Sequence, residues 1–319
     1  MKPIPEALRC APFTRADARK QGVSSRMLQG QRFVRIHPEV WRHRDLVMTF
    51  AMRVAAARLA LPEQAALTGI SRLHLLGLDF VKSDDLHFVV EGDLHLAPPG
   101  IVLHRTVKLA PVAEGSVTPA AAFISYCTHA RVIDAIKVGD WLLNQGHASL
   151  TEIAELCDAA PWRDGVSETR AMLPHLDAGA LSLKESETRA ILTWAGLPRP
   201  AVNLRLVLDG RVVIGDLVFE NHCVIVEYEG SQHQEDRDQY TSDVERYAAV
   251  RNSGHAYVQV TKEKLSRPRR VVDEVHRVLV ARGYGGPPPD LGSAWTALFR
   301  PIRKLLGRRR AVGQQPSAS

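Results

Sequence analysis

Between Ile214 and His233 the chain reads IGDLVFENHCVIVEYEGSQH, and this stretch restricts the fold more than any other. Asp216 is a lone acid on one expected strand. A second strand follows, whose apolar run Cys223-Val-Ile-Val226 ends in Glu227, Tyr228 and Glu229. Carboxylates two residues apart on a strand point to the same face. Acids closing a buried strand are unfavourable unless something positive neutralises them. A divalent cation with oxygen ligands is the simplest neutraliser. The plain alternative is a pair of exposed charges at a strand end.

The flanking residues supply the rest of a layered domain. Ser182 is an expected helix cap, with Glu185 at the capping-box position, and the helix runs to Ala195 before Gly196-Leu-Pro198. Strands are expected over Asn203 to Leu208 and Arg211 to Phe219, joined by the hairpin dipeptide Asp209-Gly210, and then over His222 to Glu229. A helix from Asp236 to Asn252, a strand from Ala256 to Thr261 and a helix from Pro268 to Arg282 complete the order α-β-β-β-α-β-α. That order suits a mixed sheet with helices on its faces.

The N-terminal end has a different pattern. Thr14 caps a short helix with Asp17 in its first turn, Gly22 stops it, and Ser24 caps a second helix to about Leu28. Arg32 to Trp41 reads as a β-ribbon turning at His37-Pro38. Two short helices and a ribbon make a winged helix-turn-helix. Its second helix carries Ser24, Ser25, Arg26 and Gln29, which suit phosphates or base edges. The alternative is a small helical module for protein contacts. Helices are expected over 46–61 and 63–76, strands over 86–90 and 101–106, and helices over 119–126, 130–145 and 149–158. His87, His95 and His104 lie at spacings that match no ligand motif.

At 319 residues the chain has room for two or three cores. The expected fold class is multi-domain α/β. Its parts are a winged helix-turn-helix over 1–45, an α+β middle region over 46–178, a restriction-endonuclease-like mixed sheet over 179–284 and a Pro-rich, then basic, flexible tail over 285–319. The net charge of +6 is concentrated there: Arg300, Arg303, Lys304, Arg308, Arg309 and Arg310 leave the rest near neutral. Charge alone therefore does not argue for nucleic-acid binding by the folded part. A basic amphipathic helix touching membrane or nucleic acid is the other reading of the tail. Cys10, Cys127, Cys157 and Cys223 lack metal-ligand spacing and read as reduced thiols. No apolar run reaches the roughly 20 residues of a membrane span, and Met1 to Arg9 lack an apolar signal core. The expected location is cytoplasmic.

The acids fall in an order that resembles the PD-(D/E)XK nuclease superfamily. Residues 182–283 resemble, more narrowly, the family related to very-short-patch-repair endonucleases, common in actinobacterial proteins. The matching pieces are Ser182-Leu-Lys-Glu185-Ser186, Arg189, Ala195-Gly-Leu-Pro198, Gly215-Asp216-Leu217, Val226-Glu-Tyr-Glu-Gly230, His233, and Asp243 to Arg246. Residues 1–160 are similar, more loosely, to the region bearing the winged helix of AbiEi-type antitoxins. That likeness rests on Phe13-Thr-Arg-Ala-Asp-Ala18, Gly22-Val-Ser24, Phe33 to Trp41, Thr68-Gly-Ile-Ser71 and Leu75-Leu-Gly-Leu78.

The resemblance implies Asp216 as central metal ligand, Glu227 as the second, and Glu185 as holder of a second metal or its water. Mg2+ or Mn2+ is the implied cofactor. Glu229 stands where the superfamily usually has Lys, which leaves the general base open. His233 is the candidate for it, and Arg246 the candidate phosphate contact. The implied activity is a metal-dependent DNA endonuclease or nickase in DNA repair or phage defence, with DNA as partner. A homodimer would cut both strands where a monomer nicks one. The alternatives are an antitoxin-like transcriptional regulator with an inactive nuclease fold, paired with a toxin, and a protein-interaction module with neither activity.

Overall fold

In the computed structural model the N-terminal caps form where the sequence predicts them. Thr14 Oγ1 accepts the Asp17 N–H at 3.1 Å, and the Asp17 carboxylate accepts the Thr14 N–H at 3.1 Å, a reciprocal capping box. Hydrogen bonds from Thr14, its hydroxyl first, hold the Asp17 carboxyl below its ordinary pKa. Ser24 Oγ accepts the Met27 N–H at 3.3 Å. The elements they start follow α1 (Ala7–Cys10) and β1 (Phe13–Thr14): α2 (Arg15–Lys20), α3 (Ser25–Leu28), β2 (Phe33–His37) and β3 (Val40–His43). The strands form an antiparallel sheet in the order β1-β3-β2. Leu8, Phe13, Ala18, Val23, Leu28, Phe33 and Trp41 fill the core beneath it.

The structure describes residues 3–80, 83–96, 98–229, 250 and 252–306. The chain has a multi-domain α/β architecture and divides into two compact units, Met1–Ser125 and Tyr126–Ser319. The rest of the first unit is α4 (Phe50–Ala60), β4 (Ala66–Leu67), α5 (Gly69–Leu75), β5 (Leu86–Glu91), β6 (Ile101–Thr106), β7 (Val112–Ala113) and β8 (Ser116–Val117). The sheet order is β6-β5-β4-β8-β7. Two expectations change here. The first helix starts four residues later than predicted, because the Thr49 hydroxyl caps it through the Met52 N–H at 3.2 Å. The helix expected over 63–76 is split: Ala66 and Leu67 pair with Val89 and Phe88, and Gly69 at φ 52° opens a shorter helix.

Helix α6 (Pro119–Cys127) carries the chain into the second unit. There follow α7 (Val132–Asn144), α8 (Leu150–Ala159), α9 (Val166–Met172), α10 (Leu183–Trp194), β9 (Ala201–Leu208), β10 (Arg211–Phe219), β11 (Val224–Glu229) and β12 (Ala256–Thr261). The last helices are α11 (Lys262–Leu265), α12 (Pro268–Ala281) and α13 (Ser293–Ala297). The sheet order is β12-β11-β10-β9, antiparallel except for the parallel β11–β12 pair. Asp209 at φ 50° and Gly210 at φ 73° make the left-handed pair that a two-residue hairpin turn needs.

Two features move the expected domain limits. First, α7 packs on α10 through a buried ion pair, Arg189 to Asp140 at 2.7 Å, with side-chain exposures of 2% and 0%. Burial raises the Asp140 carboxyl pKa, with Arg189 acting against it. Beside this pair, Lys137 bonds Glu187 at 3.0 Å. Burial opposes the Glu187 charge, but Lys137 and Lys184 hold its pKa below the ordinary value. The sheet-bearing unit therefore begins near residue 126, not 179. Second, the tail expected to be flexible from 285 is folded through 306. Trp295, Leu298 and Ile302 are buried apolar side chains, and Trp295 Nε1 donates to Ile191 O at 3.0 Å.

Candidate functional site

The carboxylates sit where the regular ladder of the second sheet breaks. Pairing between β9 and β10 runs to Gly215–Leu204 and resumes at Leu217–Val202, skipping Asp216 and Asn203. Asn203 is left-handed, at φ 48°, a conformation that Asn tolerates better than most residues. Across the break the faces change. Val213 and Val218 join one core cluster with Ile225, although strict alternation would put them on opposite faces. Asp216 occupies this break, and its Oδ2 accepts the Tyr228 N–H at 2.9 Å. One side chain thus ties β10 to the acidic end of β11. The β10–β11 ladder ends at Leu217–Val226, immediately before Asp216 and Glu227.

Glu227 is buried, with 4% exposure, and Glu229 is half-buried. Both meet residues of β12, which the sequence reading did not include in the site. The Tyr257 hydroxyl lies 3.2 Å from Glu227 Oε2 and 3.2 Å from Glu229 Oε1. Gln259 Nε2 donates to Glu229 Oε2. A signal for this was present in AYVQVT, whose alternate residues Tyr257, Gln259 and Thr261 are polar on one face.

Glu185 has a different local role. Its N–H is accepted by Ser182 Oγ at 3.1 Å, the expected cap. Its carboxylate does not close the box on Ser182. Glu185 Oε2 instead accepts the Leu181 N–H at 2.9 Å and Asn203 Nδ2 at 2.7 Å. Asn203 Nδ2 also donates to Gly179 O at 2.7 Å. Glu185 is thereby joined to Asn203, one partner in the ladder break, and it helps to anchor the start of α10.

His233 and Arg246 lie outside the described residues. Ser24, Ser25, Arg26 and Gln29 are all exposed, while Val23 and Leu28 beside them are buried. The face of α3 that the sequence assigned to DNA is therefore the solvent face. The three histidines separate into two settings. His87 Nδ1 and His104 Nε2 are 3.0 Å apart on β5 and β6, whereas His95 is beside Asp93 and Arg105.

Among the described residues, no group of three or more His, Cys, Asp or Glu is placed to hold a metal ion. Asp216 and Glu227 offer two carboxylates from neighbouring strands. That donor set fits magnesium, which takes one or two carboxylates and keeps several waters. No helix among the described residues is long and apolar enough to cross a membrane.

No known protein-family model matches the chain. Two uncharacterized proteins of Mycobacterium tuberculosis are similar to it, one from strain CDC 1551/Oshkosh and one from strain ATCC 25618/H37Rv. Each is 24% identical over 210 residues, covering 64% of this chain and 78% of its own length.

Proposed function

We propose that this chain is a metal-dependent DNA endonuclease or nickase of the PD-(D/E)XK type, with its N-terminal winged helix contacting DNA. The observation that carries the reading is the convergence of Asp216 and Glu227 at the break in the sheet, with Asp216 bonded to the backbone of Tyr228. Asp216 and Glu227 are the residues that would hold Mg2+ or Mn2+. A bound ion of this kind activates water and offsets charge on a phosphodiester. Glu185 and Asn203 keep the start of α10 against β9, and His233 remains the proposed general base. Ser24, Ser25, Arg26, Gln29 and Arg246 are the proposed DNA contacts. In this reading the protein works in the cytoplasm.

A second reading, a DNA-binding regulator with an inactive nuclease fold, is favoured by one observation. Glu229 stands where the superfamily usually has Lys, and Tyr257 and Gln259 already engage its two oxygens.

Nicking of supercoiled plasmid separates the two. The purified protein is incubated with Mg2+ or Mn2+ against EDTA, with Asp216→Ala alongside. The nuclease reading expects metal-dependent nicking that the substitution abolishes. Intact DNA binding without nicking on several substrates would transfer the assignment to the regulator. In either reading, affinity for duplex falls by orders of magnitude between about 50 and 200 mM salt if several phosphates are contacted.

A further inference from the structure

We propose that Tyr257 and Gln259 are positioning residues that hold Glu229 aside and leave Glu227 as the cation ligand of the Glu-x-Glu pair. This inference rests on the metal-dependent reading above and assigns separate roles to its two glutamates.

The parallel register of β11 and β12 aligns Ile225 with Tyr257, Glu227 with Gln259 and Glu229 with Thr261. Partners aligned in this way share a sheet face. The Tyr257 ring packs against the cluster containing Val218 and Ile225, which fixes where its hydroxyl can reach. That hydroxyl is 3.2 Å from an oxygen of each glutamate. A hydroxyl has one hydrogen and donates it to one acceptor at a time. Gln259 breaks the symmetry by donating to Glu229 Oε2. With the phenol hydrogen on Oε1, both oxygens of Glu229 are engaged by β12. The phenol oxygen and Glu227 Oε2 then face each other as two acceptors. A positive charge on Glu227 relieves that contact, and Glu227 is also the acid that immediately follows the last β10–β11 ladder pair, beside Asp216. Partners that orient a ligand in this way typically change metal affinity about 10- to 100-fold when removed.

The test is Mn2+ binding to the full chain, measured by calorimetry, with the metal-free melting temperature measured on the same samples. Tyr257→Phe keeps the ring and removes only the hydroxyl. Its expected effect is Mn2+ affinity about tenfold weaker, with metal-free melting within a few degrees of wild type. Gln259→Leu, at an exposed position, is expected to weaken binding in the same direction, and it serves alone if Tyr257→Phe does not fold. Glu227→Gln is expected to remove saturable binding. Folded Tyr257→Phe and Gln259→Leu proteins with wild-type Mn2+ affinity overturn the inference while the metal site stands. A lower melting temperature with unchanged affinity also overturns it, because the role is then structural only. A wild-type chain that binds no Mn2+ removes the metal reading itself, and this inference with it.

Discussion

Arg189 shows how a residue within a recognisable pattern can serve packing rather than chemistry. It belongs to the series of residues that resembles the repair endonucleases, yet its guanidinium is buried against Asp140 of α7 and the carbonyl of His175. Asp140 also accepts the Asp177 N–H at 2.7 Å, so one carboxylate joins three segments. Removing one partner of a buried pair leaves the other charge uncompensated, at a cost of about 3–5 kcal/mol. Arg189→Met is therefore expected to lower unfolding stability by that amount in a urea titration. The double variant Asp140→Leu/Arg189→Met should recover most of the loss, since it buries no lone charge. A single variant as stable as wild type would show that the pair does not hold α7 to α10. At this scale the caps Thr14, Ser24 and Ser182 were legible, because each side chain bonds a backbone N–H three residues away. Asn203 was not legible as part of the site: its role depends on a left-handed backbone and on Glu185, 18 residues earlier.

At the scale of the element, β10 is the informative strand. Its ends match the sequence reading, Arg211–Phe219, and the Asp209-Gly210 turn forms as the dipeptide predicts. The break at Asp216 was hidden because apolar residues continue through it without interruption. Gly215 records the crowding there: a Cβ at that position would lie 2.7 Å from Val218 Cγ2 and 3.0 Å from Ile225 Cγ2. Both neighbours are buried, at 1% and 0% exposure, so neither can turn away into solvent. Gly215→Ala should destabilise the protein by about 1–3 kcal/mol through overpacking, read as a lower denaturant midpoint. Because Asp216 is the next residue, the same variant should also weaken Mn2+ binding. Unchanged midpoint and affinity would mean that the strand absorbs a methyl group at its break. The helix expected over 63–76 failed for a related reason: two residues drawn into a sheet, Ala66 and Leu67, are too few for periodicity to register.

Over the whole molecule, the C-terminal segment returns to the helices of the second unit. Trp295, Leu298 and Ile302 are buried, and backbone bonds run from Val132 and Ile133 to Arg300 and Leu298 at 3.1 and 2.9 Å. Trp295→Ala should cost about 3–5 kcal/mol, lowering the thermal transition of the unit that contains α10. A change of a few tenths would show that the segment is only draped on the surface. The basic residues of this segment dominated the sequence reading, while its three apolar anchors were the ones that placed it. By itself the sequence determined the order of helices and strands, several of their caps, the hairpin and the acids Asp216, Glu227 and Glu229. Those features act within a few residues, where a hydroxyl, a turn or strand alternation satisfies nearby backbone groups. Tertiary structure decided which residues meet those acids, which helices belong with the second sheet and where the tail lies. Tyr257 reaches Glu227 across 30 residues of chain and Trp295 reaches Ile191 across 104. Contacts at such separations exist only after strands pair and helices dock, so no local pattern encodes them.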